Sequence, residues 1–297
     1  DGSDFADTHA AWSRDDAYVA SLVDALADVG TDPARDAILE ALPKMTRDAN
    51  VAAAAEALTR FPTTPAITRA FEAAYMRLPA IEKKGDTSPG IERAALLQAA
   101  GDLYDAHVPA WALASARGAT GEMMLAAKAS AIQSALKVLA PGDEKLLAEA
   151  VVDLETKSGL SPAERGEVGN NLQAVVDYAS RALARCKVDV ACYLAVVDEP
   201  IPADAHANWK AIKAATMCGL LGDDATRKRL VTIAKTQKNP GVRLAIARAV
   251  AQLAPRGDDA DASVLEAIVR AESLAQDDPI ARTARTLRAR SELARQK

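Results

Sequence analysis

The chain has 297 residues, of which 49% are apolar but only 4% aromatic, and its formal charge is −5. That is enough apolar side chain to bury a large core in one extended or two compact domains. No apolar run approaches the ~20 residues needed to cross a bilayer, and the overall acidity disfavours general nucleic-acid binding. The charge is uneven: residues 207–297 hold 17 Lys and Arg against 10 Asp and Glu, a net of +7, so residues 1–206 carry −12. The chain opens on "DGSDFADTHAAW", without methionine or a visible signal peptide. That start leaves room for a processed export signal or a lipidated segment.

Nearly every segment that follows reads at helical period. "DANVAAAAEALTRFP" is dominated by alanine, the best helix former. "PGIERAALLQAAGDLYDAHVP" is apolar almost all round, so its helix should be largely buried, with Pro109 interrupting the region. In "GEMMLAAKASAIQSALKVLAPGD", Met124, Ala127, Ala131, Ala135 and Val138 form one stripe, and Leu125, Ile132, Leu136 and Leu139 a second beside it. Pro141 and Gly142 end that helix. Breakers recur at Asp32-Pro33, Ser88-Pro89, Ser161-Pro162, Asn239-Pro240 and Asp278-Pro279. Each pairs a capping side chain with proline at the head of an apolar run, the pattern of a helix start. The carboxylate pairs Asp15-Asp16, Asp223-Asp224 and Asp258-Asp259 are expected in turns or at helix starts, where the helix dipole favours them and no catalytic role is required. No alternating strand pattern is present, and "VDVACYLAVVD" is the one stretch rich in β-branched residues. The fold class is therefore all-α.

The spacing of the later runs predicts stacked repeats. "WKAIKAATMCGLLGD", "NPGVRLAIARAVAQLAPRGD" and "DPIARTARTLRARSEL" look alike, recur every 33–39 residues, and have a second helical run between each pair. Two helices per such period is the pattern of a unit that cannot bury its apolar face alone. Residues 1–185 hold fainter copies, 186–204 a cysteine-bearing connection, and 205–297 the better-formed units.

"NPGVRLAIARAVAQL" and "WKAIKAATMCGLLGDD" resemble the second helix of HEAT repeats, with its Asp/Asn-Pro-x-Val-Arg entry and its leucine-glycine-aspartate exit. The resemblance covers about residues 205–290 and implies an α-solenoid that binds another protein, without catalysis. The sequence departs from the pattern where many HEAT repeats carry a ladder aspartate, since Gln237 and Gln276 stand six residues before Arg243 and Arg282. "CKVDVACYLAVV" is similar to bacterial cell-envelope HEAT-repeat proteins, some of them lipoproteins. That likeness implies a periplasmic or envelope location.

Candidate chemistry is sparse. Cys186 and Cys192 sit on either side of a short helix connection that brings their Cβ atoms within bridging reach. They read as a disulfide staple, for which closing so small a loop is worth about 2 kcal/mol, or as two buried thiols, or as part of a metal or redox site. Cys218 reads as core. His9, His107 and His206 have no second histidine or carboxylate at ligand spacing, so no metal site is expected. No nucleophile elbow or phosphate loop is present, and "GEVGNN" has no strand before it. No catalytic residue and no cofactor is expected, and no small-molecule substrate is evident.

The closing segment "ARTARTLRARSELARQK" holds six Lys and Arg against one Glu. Arg282, Arg285 and Arg288 recur every three residues, and read either as a solvated capping ridge or as a partner-binding ridge for an anionic, acidic protein. Nucleic acid is a less favoured partner, because the rest of the chain is acidic. Contact with a membrane is expected only through a processed N-terminus. Trp12, Trp111 and Trp209 read as packing between helices. The competing readings are a cytosolic HEAT-like nucleic-acid protein or enzyme using the basic end, and a lyase-like HEAT protein acting on a protein-bound cofactor.

Overall fold

The computed structural model describes residues 3–45, 47–78, 88–117, 124–157, 161–202 and 204–296. Among them are α-helices and one short 3-10 turn, with no strand. The helices are α1 (Ser3–Val29), α2 (Asp32–Ala41), α3 (Asp48–Leu58), α4 (Pro65–Arg77), α5 (Ser88–Ala100), α6 (Val108–Arg117), α7 (Met124–Val138) and α8 (Glu144–Lys157). They continue as α9 (Pro162–Cys186), α10 (Val190–Asp198), α11 (Asn208–Leu221), α12 (Asp224–Ala234), α13 (Pro240–Leu253), α14 (Asp259–Glu272) and α15 (Pro279–Gln296). The all-α class is as the sequence predicts.

Local chemistry sets the helix starts. Asn239 accepts from the Val242 N–H ahead of Pro240, and Asp278 accepts from the Ile280 N–H beside Pro279. Asp223 and Asp258 cap α12 and α14 in the same way. Asp15 and Asp16 differ from expectation, since they lie inside α1 and not at its start. Asp16 there pairs with Arg47 at 2.7 Å. The β-branched run 188–198 is helical because Asp189 caps α10, accepting from the Ala191 and Cys192 N–H groups. "GEVGNN" lies within the long helix α9.

The helices form two layers. Alternate helices touch in succession: α1 on α3, α3 on α5, α5 on α7, α7 on α9 and α11, α9 on α11, α11 on α13, and α13 on α15. The helices between them pack against this row, as α6 does on α7, α10 on α11, α12 on α13 and α14 on α15. Finally α15 returns against α1. Buried apolar side chains run without a break from Val23 on α1 to Leu287 on α15, across the boundaries drawn at residues 185 and 205. The stripe of Ala127, Ala131, Ala135 and Val138, with Ile132, Leu136 and Leu139, is buried as its period predicts, and α5 is mostly buried too. The side chain of Met124 lies outside the described residues.

Candidate functional site

Two glycines let the inner helices meet closely. A Cβ on Gly101, at the end of α5, would strike the Ser134 backbone of α7, and one on Gly219 of α11 would strike the Tyr104 ring. The chain after α5 therefore reaches over to α11 and α13. Tyr104 donates its N–H to Thr63 Oγ1 at 2.9 Å, and the Thr63 N–H donates to Gln252 Oε1 of α13 at 2.8 Å.

This close approach leaves a cleft of about 200 Å³ between α5, α7, α11 and α13. Its polar side is Asp102, Lys137 and Arg248, with the amides of Gln98 and Gln133. Its apolar side includes Trp209, Ile212 and Leu244. Asp102 divides its carboxylate between two cations. Oδ1 accepts from Lys137 Nζ at 2.9 Å, and Oδ2 pairs with Arg248. Burial alone would push the Asp102 carboxyl up. The cations of Arg248 and Lys137 outweigh it and hold the group below the usual carboxylate range. The phenol of Tyr104 is pushed well above its ordinary range by burial first and by Asp102 second.

Two buried cations close helix ends nearby. Lys213 of α11 donates to the carbonyls of Lys137 and Leu139 at 2.8 and 2.5 Å, at the exit of α7. Burial drives its ammonium far below the ordinary lysine range, against an attraction to Glu144. Arg290 donates to Ala251 O, Ala254 O and Arg60 O at 2.8, 3.2 and 2.7 Å, and burial lowers it to about 10. Both satisfy C-terminal carbonyls that a helix leaves open.

The cysteines expected to pair do so. Cys186 and Cys192 are bonded, with Cα atoms 5.3 Å apart. The left-handed Lys187 (φ 52°) turns the chain between them, and its carbonyl accepts from the Tyr193 hydroxyl. Cys218 is buried and free, with its thiol pushed up to about 12 by burial.

The three arginines of the closing helix are engaged within the chain. Arg282 lies 3.6 Å from Asp24 and 3.4 Å from Glu56. Arg285 donates to Gln276 O at 2.8 Å and faces Asp28 at 3.6 Å. Arg288 pairs with Asp259 at 3.1 Å and Glu266 at 3.0 Å.

Trp111 meets Tyr75 edge-on, and Trp209 is partly buried at the cleft. His107 and His206 donate backbone N–H groups to Asp105 and Asp204 in turns before α6 and α11. The side chains of His9 and Trp12 lie outside the described residues. Among those residues no group of His, Cys, Asp and Glu is arranged to hold a metal ion, and no helix is long and apolar enough to cross a membrane.

Asp102, Lys137, Arg248, Lys213 and Arg290 were not singled out by the sequence. A weak signal existed for Lys213, a lone charge deep in the apolar run "AIKAATMCGLL". No family model, curated protein or solved structure matches the chain.

Proposed function

We propose that the protein is a non-enzymatic α-solenoid scaffold of HEAT-like helix pairs that binds another protein through a surface of the solenoid, in the bacterial envelope. The observation that carries this reading is the serial contact of helix pairs at the spacing of the repeated runs, with α11, α13 and α15 touching in one row and α12 and α14 packed against it. Adjacent pairs are also tied by polar bonds. Buried Arg227 of α12 pairs with Asp258 at 3.0 Å and with Asp261, both from the next pair. At Gln237, where the resemblance would place a ladder aspartate, Arg243 donates to the Gln237 carbonyl at 2.6 Å and pairs with Glu272 at 2.7 Å. The Cys186–Cys192 bond supports an oxidising compartment, since such bonds persist there and are rare in the cytosol. The arginines of the basic end face carboxylates of the same chain, which lends no support to gripping nucleic acid with it.

A photo-crosslinking residue at exposed Gln98, beside the cleft, tests the reading in cells of the source. One dominant protein adduct in the envelope fraction, retained at moderate salt, is expected. Nucleic acid as the main adduct, or no protein adduct in any fraction, overturns it.

A further inference from the structure

The cleft between α5, α7, α11 and α13 has the composition of a seat for one carboxylate. Asp102 supplies one negative charge to two positive ones, so the Asp102–Lys137–Arg248 set carries a net +1. An ammonium has three donors and a guanidinium five, and the carboxylate of Asp102 cannot take them all. The two amides of Gln98 and Gln133 add further donors at the rim. Trp209, Ile212 and Leu244 provide an apolar wall for a short aliphatic stem.

Size and charge select the occupant. At about 200 Å³ the cleft is smaller than the ~300–1,000 Å³ usual for a cofactor or drug-sized ligand. It fits a single side chain. A net +1 is neutralised by a monoanion, whereas a phosphate dianion would leave an uncompensated charge beside Asp102 in a half-enclosed site.

We propose that this cleft seats an aspartate or glutamate side chain from an acidic segment of the protein partner. The proposal rests on the scaffold reading above and names the chemistry its partner offers. The acidic partner expected for Arg282, Arg285 and Arg288 would then be anchored by Lys137 and Arg248.

The test is fluorine NMR of the full chain labelled with 5-fluorotryptophan, with the Trp209 signal assigned by Trp209→Phe. The probes are glutamate blocked at both backbone ends, the blocked glutamine analogue and inorganic phosphate, at fixed pH and ionic strength. Blocked glutamate should move the Trp209 resonance saturably. Blocked glutamine should bind at least about tenfold more weakly, the size expected for losing a charge-assisted bond. Arg248→Met should weaken glutamate by about tenfold or more. Because that variant also strands Asp102, Gln98→Glu is the second variant. It places a competing carboxylate at an exposed rim position and should abolish the shift in a protein that still unfolds cooperatively. No Trp209 shift with blocked glutamate, an equal shift with glutamine, or a stronger response to phosphate overturns the seat. If the seat fails while crosslinking at Gln98 still captures an envelope protein, the scaffold reading stands alone.

Discussion

Cysteine shows how far single residues can be read. The spacing of Cys186 and Cys192 across a helix break is a local signal, and the bond between them is local too. A thiol count on denatured, unreduced protein should find one reactive group, Cys218, and three after reduction. Replacing the pair by serine should lower stability by about 2 kcal/mol, read by urea unfolding. Cys218 gives a pH signature. Its folded thiol is raised from about 9 to about 12, so the native state holds the proton more tightly than the unfolded chain. That contribution is complete below pH 9 and is lost as pH rises toward 12, at about 1.4 kcal/mol per pH unit. Cys218→Ala should unfold with a shallower decline over pH 9–10 than the parent. By contrast, Asp102, Lys137 and Arg248 were not legible. Each is an ordinary charge in its own run, and only the meeting of α7, α13 and the turn after α5 makes them a set.

Helices were readable where their signals lie within a few residues. Asn239-Pro240, Asp278-Pro279, Asp223 and Asp258 mark starts because a side-chain oxygen meets a free N–H two or three residues on. Asp15-Asp16 carry the same residue type but lie inside α1, where Asp16 serves an ion pair with Arg47 instead. The caps should differ in weight. Asn239→Ala removes a cap alone and should cost about 1 kcal/mol. Asp258→Ala removes a cap and a partner of buried Arg227, and should cost about 2 kcal/mol or more in the same unfolding assay.

Across the whole molecule, the return of α15 to α1 has no mark in the sequence, because it joins residues more than 200 positions apart, as Arg282 with Asp24 and Arg285 with Asp28. The joint has two grades of contact. Arg282 and Arg285 face Asp24, Glu56 and Asp28 across partly solvated gaps, and such pairs are worth little and weaken with salt. Buried Arg290 instead holds three carbonyls, from the end of α13 and from Arg60 after α3. Arg290→Ala should destabilise the fold by about 3 kcal/mol or more, because it strands buried acceptors. Arg282→Ala should cost about 1 kcal/mol or less.

A row of helix pairs that touch only their neighbours unravels from its free ends, since terminal pairs are held on one side. Here α1 and α15 hold each other, so neither terminal pair is held on one side only. Hydrogen exchange in α15 should then report much the same opening free energy as in α3, in place of a gradient rising inward from the C-terminus. Removing α15 would uncover buried faces on three helices at once, α14, α13 and α1. Shortening such a chain by one helix therefore loosens both its beginning and its end.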